Sequence, residues 1–327
     1  MSSSAYNNGP STEAGHRWSS GDTKAPRHSE NTATTDNRTT PEVDEVGLQV
    51  NTEYKPLPFP FNRIMDSGFG RSQWKNHSIA FAGECVGTAS FLFFAFAGTE
   101  VAQWGALQDP DNTTFDPATV LYISLCFGLS LMVNVFIFFR VSGGLFNPAV
   151  TLAMFLTSSI PPMRCLVLFL AQMLACMFAS VIVDVLIPTK FGVVTQPSNG
   201  ATTAQAVCIE LILTAYLCMS IFMLAGENHK GRFMAPVCIG MALFSAHLVG
   251  VQWTGASLNP CRSFGPAVIS GTWTKHWIYW VGPGVGATIA AGLYKTLKHM
   301  RYEEANPGQD QWDDPSLRQH NNHQNHK

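Results

Sequence analysis

Charge is scarce in this sequence. Only 13% of the 327 residues are Asp, Glu, Lys or Arg, about half the share of an average soluble domain, while 46% are hydrophobic. That balance excludes an ordinary soluble globular chain and points to a membrane protein. A basic excess is also missing: the formal net charge is −2, which removes nucleic acid as an expected partner. The first thirty residues lack the basic start and apolar core of a secretion signal, so the amino-terminal tail is expected to stay in the cytosol. All eight cysteines (85, 126, 165, 176, 208, 218, 238 and 261) fall inside or beside apolar segments and none in a polar tail, which argues against a disulfide framework. No close Cys/His grouping has metal-ligand spacing, and His320, His323 and His326 sit in a polar, low-complexity end. Neither a metal nor a cofactor is expected. A nucleophile, base and orienter of the triad kind is likewise missing, so enzymatic chemistry is not expected.

What is present is a set of long apolar runs between polar ends. Residues 1 to 74 are rich in Ser, Thr, Asn, Gly and Pro, and residues 303 to 327 are polar; both are expected to be cytosolic, mostly disordered tails around an apolar membrane domain at 75–302. Within the first tail, the aromatic and proline residues of 53–66 favour an extended segment. Six stretches are long enough to cross a hydrocarbon core, near 77–99, 119–140, 162–187, 203–225, 233–253 and 275–297, separated by breakers such as "DPDNTTFDP" and "GENHKG". An even number of crossings leaves both termini on one side. That side carries Arg63, Arg71, Lys75, Arg140, Arg164, Lys230, Arg232, Lys295, Lys298 and Arg301, against Lys190 and Lys275 opposite, so it is the cytosolic one. The sequon at Asn112 then faces outside as a candidate glycosylation site, whereas those at Asn37 and Asn76 face the cytosol.

Two further apolar segments, 147–157 and 259–269, are too short to span: eleven residues of helix reach roughly 16 Å, about half the hydrocarbon core. They read as re-entrant half-helices. Each opens on Asn-Pro, and each follows the second long helix of its half of the chain, so the order of elements repeats over about 75–190 and 200–300. Each half also begins with a glutamate-bearing helix, Glu84 in "AGECVGT" and Glu210 in "VCIELILT". An odd number of crossings separates the copies, so the repeat is inverted. The fold expected is an all-α membrane protein: six transmembrane helices plus two re-entrant half-helices in an inverted three-helix repeat.

Asparagine is a good N-cap and proline suits the first helical position, so Asn147-Pro148 and Asn259-Pro260 each start a helix abruptly. If each side-chain carbonyl caps its own helix, each amide N–H₂ is free to donate into whatever lies between. Two facing helix starts also make the midplane hostile to cations.

With "RVSGGLFNPAVTL" (140–152), "AHLVGVQWTGASLNPCRSFGPAV" (246–268) and "HWIYWVGP" (276–283), the chain resembles the aquaporin family, and within it the fungal orthodox water channels, over about residues 76–300. The resemblance implies a pore midplane at Asn147, Pro148, Ala149, Asn259, Pro260 and Cys261, and a selectivity filter of Phe127, His247, Ala256 and Arg262. Arg262, three residues past Asn259, lies about 4.5 Å along the half-helix, where its fork of donors would repel cations and bind water. Bulky Phe127 and His247 argue against glycerol, since glycerol-conducting relatives typically carry Trp and Gly there and Asp in place of Ser263; Ala267, Tyr279 and Trp280 also resemble the water-channel pattern. By resemblance Glu84 and Glu210 support the loop backbones; read as intramembrane carboxylates alone they also fit a proton-coupled transporter.

The expected function is therefore a passive, proton-tight water channel, with a peroxide- or glycerol-conducting facilitator as the near alternative and a proton-coupled transporter or a structural membrane protein as the remote ones. The resemblance implies a homotetramer; water and membrane lipid are the expected partners and the plasma membrane the expected location. Two departures stand out: Cys261 replaces the usual alanine of the second motif, and Ala256 stands where cysteine or threonine is common. Cys261 is expected to be structural. The yeast members it resembles suggest that 53–66, with Tyr54, packs near the inner mouth as a gate.

Overall fold

The computed structural model describes residues 71–107, 116–227 and 230–309, without the side chains of residues 71 and 72. Tyr54, the segment 53–66 and Asn112 lie outside the described residues.

The described residues form helices α1 (Arg71–Leu107), α2 (Pro117–Phe138), α3 (Pro148–Leu156), α4 (Pro162–Leu186), α5 (Thr203–Ile221), α6 (Ala235–Thr254), α7 (Pro260–Ser270) and α8 (Ile278–His299). Among the described residues, five segments, lying along α1, α2, α4, α5 and α6, are long and apolar enough to cross a membrane. The sixth, α8, spans about 33 Å but is diluted by Gly282, Pro283, Gly284, Gly286 and Gly292. Its composition follows from packing. A methyl on Gly282 would sit 2.7 Å from the Glu210 Cβ, and one on Gly286 would sit 2.3 Å from the Leu211 carbonyl oxygen, so α8 presses its backbone onto α5. Another face, Val281, Val285, Ile289 and Leu293, is an exposed apolar stripe at helical spacing.

Helix α1 departs most from expectation. It runs 37 residues, about 55 Å, starting at Arg71 and continuing past 99 to Leu107. No proline interrupts "EVAQWGAL", and the next one after it is Pro110. Helix α2 begins under control of Asp116, whose carboxylate accepts from the N–H groups of Ala118 and Thr119. The Thr119 hydroxyl, followed by those two N–H groups, holds this exposed carboxyl below the usual carboxylate range. After α8, a turn at Tyr302–Glu304 leads back to Lys230, whose Nζ donates to the Gly308 carbonyl at 2.7 Å.

The repeat is visible in the packing. Helix α1 packs on α2 and α4, as α5 packs on α6 and α8, and the halves meet along α2 and α6. Each half-helix packs chiefly against the last helix of the other half, α3 on α8 and α7 on α4. The α2/α6 seam needs glycine: a Cβ on Gly240 would fall 2.5 Å from the Met132 Cβ and 2.6 Å from the Gly128 carbonyl oxygen. Replacing Gly240 with leucine is expected to destabilise by about 1–3 kcal/mol, whereas Gly284→Ala, where an added Cβ meets nothing within 4 Å, should be near neutral. Thermal unfolding in detergent checks this; equal losses for both would contradict the seam.

Candidate functional site

The two Asn-Pro turns are built alike. Asn147 caps α3: its Oδ1 accepts from the N–H of Ala149 at 2.8 Å and of Val150 at 3.4 Å. Asn259 caps α7, accepting from Cys261 at 3.1 Å and Arg262 at 3.5 Å. Pro148 and Pro260 occupy the first helical positions, where no N–H is needed. The sequence suggests free amide nitrogens, but neither is wholly free. Asn147 Nδ2 donates to the Leu258 carbonyl at 2.9 Å, and Asn259 Nδ2 donates to the Phe146 carbonyl at 2.9 Å. Each loop is thus tied to the other. Because an amide nitrogen carries two hydrogens, one on each asparagine remains for the space between.

Phe146 and Leu258 have left-handed backbone, with φ of 51° and 54°. This turns the N–H and C=O of one residue toward different partners. The Phe146 N–H donates to Glu84 Oε1 at 2.6 Å, and the Leu258 N–H donates to Glu210 Oε2 at 2.8 Å. Both glutamates are fully buried. Glu84 also accepts from Gln172 Nε2 at 2.7 Å; Glu210 accepts from the Thr254 hydroxyl at 2.6 Å and the Ser257 N–H at 2.9 Å. In this arrangement both carboxylates act as acceptors for loop donors.

A cavity runs between these loops. Leu131, Val135, Val150, Leu217, Ile221 and Leu243 form apolar wall, and Asn147, Asn259, Ser257, His247 and Arg262 supply polar side chains. Phe127 and His247 stack, with ring centroids 4.2 Å apart. His247 Nδ1 is hydrogen-bonded to the Leu243 carbonyl at 2.9 Å, which leaves Nε2 without a protein partner. The Arg262 guanidinium lies 5.0 Å from the Phe127 ring centroid and donates to the carbonyls of Val193 at 2.8 Å and Gly255 at 3.3 Å. The structure thus brings Phe127, His247 and Arg262 together. Ala256, at φ 48°, is fully buried and not part of the cavity lining, which includes Ser257. Sequence reading missed Ser257. Its hydroxyl is tied to Ser263 Oγ at 2.6 Å and donates to the Asn259 carbonyl at 2.9 Å, a role that a lone serine beside a motif does not announce.

Cys261 is fully buried, and its thiol points at Asn259 Oδ1, 3.1 Å away, and at the Phe146 carbonyl, 3.8 Å away. Ala149, at the matching place in the first motif, is buried too.

A profile of the family described as "Major intrinsic protein" matches residues 71–294. The chain belongs to that family. The family's members are passive channels rather than enzymes, and its fold of six membrane helices with two re-entrant halves makes this chain an integral, multi-pass membrane protein. Among similar proteins, "Probable aquaporin-5" of Gibberella zeae is 52% identical over 274 residues, covering 82% of this chain and 49% of that relative. "Aquaporin-5" of Botryotinia fuckeliana is 54% identical over 261 residues, covering 78% of this chain and 47% of the relative. The chain therefore spans about half the length of these curated relatives. Among solved structures, the aquaglyceroporin from Plasmodium falciparum superposes with a TM-score of 0.59 at 21% identity, covering 68% of this chain and 97% of that one. At that identity the likeness speaks to fold alone.

The glutamate network makes an ordered prediction. Glu210→Met orphans two backbone donors, the Ser257 and Leu258 N–H groups, and is expected to cost about 3–5 kcal/mol. That is more than Glu84→Met, which orphans only the Phe146 N–H, since the Thr254 hydroxyl and the Gln172 amide keep acceptors at Gly250 and Thr151. Detergent melting of both variants gives the order; a Glu210 variant as stable as the wild type would remove the supporting role.

Proposed function

We propose that the chain is a passive water channel that excludes protons, ions and glycerol. The observation that carries this reading is the convergence of Phe127, His247 and Arg262 on one cavity. The stacked rings fill one side, and the guanidinium, 5.0 Å from the Phe127 centroid, faces it with fixed donors. A solute passing there trades its hydration for hydrogen bonds to Arg262, His247 Nε2 and the nearby Ser257. Water can do so at its own size; a three-carbon polyol needs more room than the stacked rings of Phe127 and His247 leave beside Arg262. The Phe127–His247 stack supports water over glycerol as the substrate.

Deeper in, the remaining amide hydrogens of Asn147 and Asn259 supply two donors to one point. A water accepting both turns its own hydrogens away, so it cannot relay a proton onward. The positive ends of α3 and α7 oppose cations at the same place. Arg262 adds a full charge. A cation about 4 Å from a guanidinium is repelled by roughly 4 kcal/mol at an effective dielectric constant of about 20.

The rest of the reading follows the sequence: domain limits of 1–74, 75–302 and 303–327 with both tails cytosolic, a homotetramer in the plasma membrane with one pore per subunit, Asn112 facing outward and Tyr54 as a gate. The basic helix ends support the orientation.

Stopped-flow shrinkage of proteoliposomes tests the substrate. Fast water flux with neither glycerol uptake nor proton leak is expected, and glycerol passing as freely as water would defeat the selectivity. Arg262→Ala should keep water flux and raise proton and cation leak by roughly two to three orders of magnitude.

A further inference from the structure

The segment between α4 and α5, residues 187–202, crosses the Arg262 end of the cavity as a strap. Its central residues are deeply buried, Val193 and Thr195 at 1% and 3% exposure. Val193 matters because its carbonyl accepts the shorter of the two hydrogen bonds that hold Arg262, 2.8 Å from Nη1 against 3.3 Å from Nη2 to Gly255. The guanidinium's Nε has no partner. Its placement therefore depends on where the strap puts one carbonyl.

The strap is fixed on both sides of that carbonyl. After it, the Thr195 hydroxyl donates to Ser263 Oγ at 2.7 Å. Before it stands Glu100. This carboxylate, 2% exposed, is carried by the part of α1 that runs beyond the expected membrane span. Its Oε1 accepts from the Gly192 N–H at 2.6 Å and its Oε2 from the Thr189 hydroxyl at 2.8 Å. One turn later, Gln103 packs so closely that a methyl on Gly192 would lie 2.6 Å from its Oε1. Gly192 and Val193 are neighbours, so the carboxylate that fixes the Gly192 N–H also fixes the carbonyl that orients Arg262.

We propose that Glu100 is a positioning residue of the filter: through Gly192 and Val193 it holds the Arg262 guanidinium where it discriminates against larger solutes and protons. The proposal rests on the reading of Arg262 as the filter arginine. It assigns specificity to a residue that touches neither the cavity nor either half-helix, and that differs in role from Glu84 and Glu210, which bind the half-helix loops themselves.

The test measures water, glycerol and proton permeability of the full chain in proteoliposomes. Glu100→Ala is expected to keep water flux while raising the glycerol-to-water ratio and the proton leak by about tenfold, the scale of one charge-assisted hydrogen bond. Glu100→Gln keeps an acceptor oxygen for Gly192 and should restore most of the selectivity. A merely structural glutamate would lower all fluxes in proportion and leave the ratio unchanged. Glu100→Asp, shorter by one methylene, serves if the alanine variant does not insert, and should shift the ratio in the same direction. In an Arg262→Ala background, removing Glu100 should change nothing further. Unchanged ratio and leak in every variant that inserts, or a full additional effect without Arg262, would overturn the proposal. A wild-type channel that passes glycerol freely would instead sink the water-selective reading, and the proton leak would still decide the role of Glu100.

Discussion

The structure depends on satisfying backbone groups at membrane depth. A chain that enters a bilayer, turns and leaves as a half-helix exposes N–H and C=O groups that lipid cannot pair, each costing several kcal/mol. Two residues absorb this problem. Phe146 and Leu258 each give their N–H to the glutamate of their own half and their C=O to the asparagine of the other. The left-handed backbone that permits it costs about 1–2 kcal/mol at a residue with a side chain. Leaving two buried backbone groups unpaired would cost more. Once these bonds are set, α3 and α7 are held start to start, the capped ends fall at one point, and the remaining amide hydrogens have one place to go.

The same bonds explain why each half-helix packs against the last helix of the other half. A loop tied to its partner across the middle brings its half-helix with it, so α3 seats on α8 and α7 on α4. The inverted repeat then follows as two interlocked units, neither of which closes the cavity alone. Polar side chains come chiefly from the loops and the apolar wall from the long helices, so the cavity offers water few places to bind tightly along most of its length.

Much of this was legible in the sequence because the signals are chemical rather than merely apolar. Asn-Pro marks an abrupt helix start whatever surrounds it, and half-length apolar runs exclude a full crossing; both predicted segments are helices, Pro148–Leu156 and Pro260–Ser270. Phe127, His247 and Arg262 were expected together and lie together. What escaped reading depends on tertiary contacts. Nothing in "AGTEVAQ" says that α1 continues to Leu107, because a missing proline is a weak signal, and Glu100, just outside the expected span, gives no local sign of the strap bonded to it. The amides were expected to be free and instead tie the loops together, since a bond between residues more than a hundred apart has no local trace. Ser257, beside the expected Ala256, was missed because a side chain's direction follows from the positive φ of its neighbour, which no spacing rule gives.

If the two cross-tied asparagines leave one hydrogen each for a single water between the half-helices, high-resolution diffraction from the channel in lipid will show it. One file of waters is expected through the cavity, with one of them within about 3 Å of both Asn147 Nδ2 and Asn259 Nδ2. A file at least two waters wide at that point, or density there that touches only one of the two amides, would contradict it.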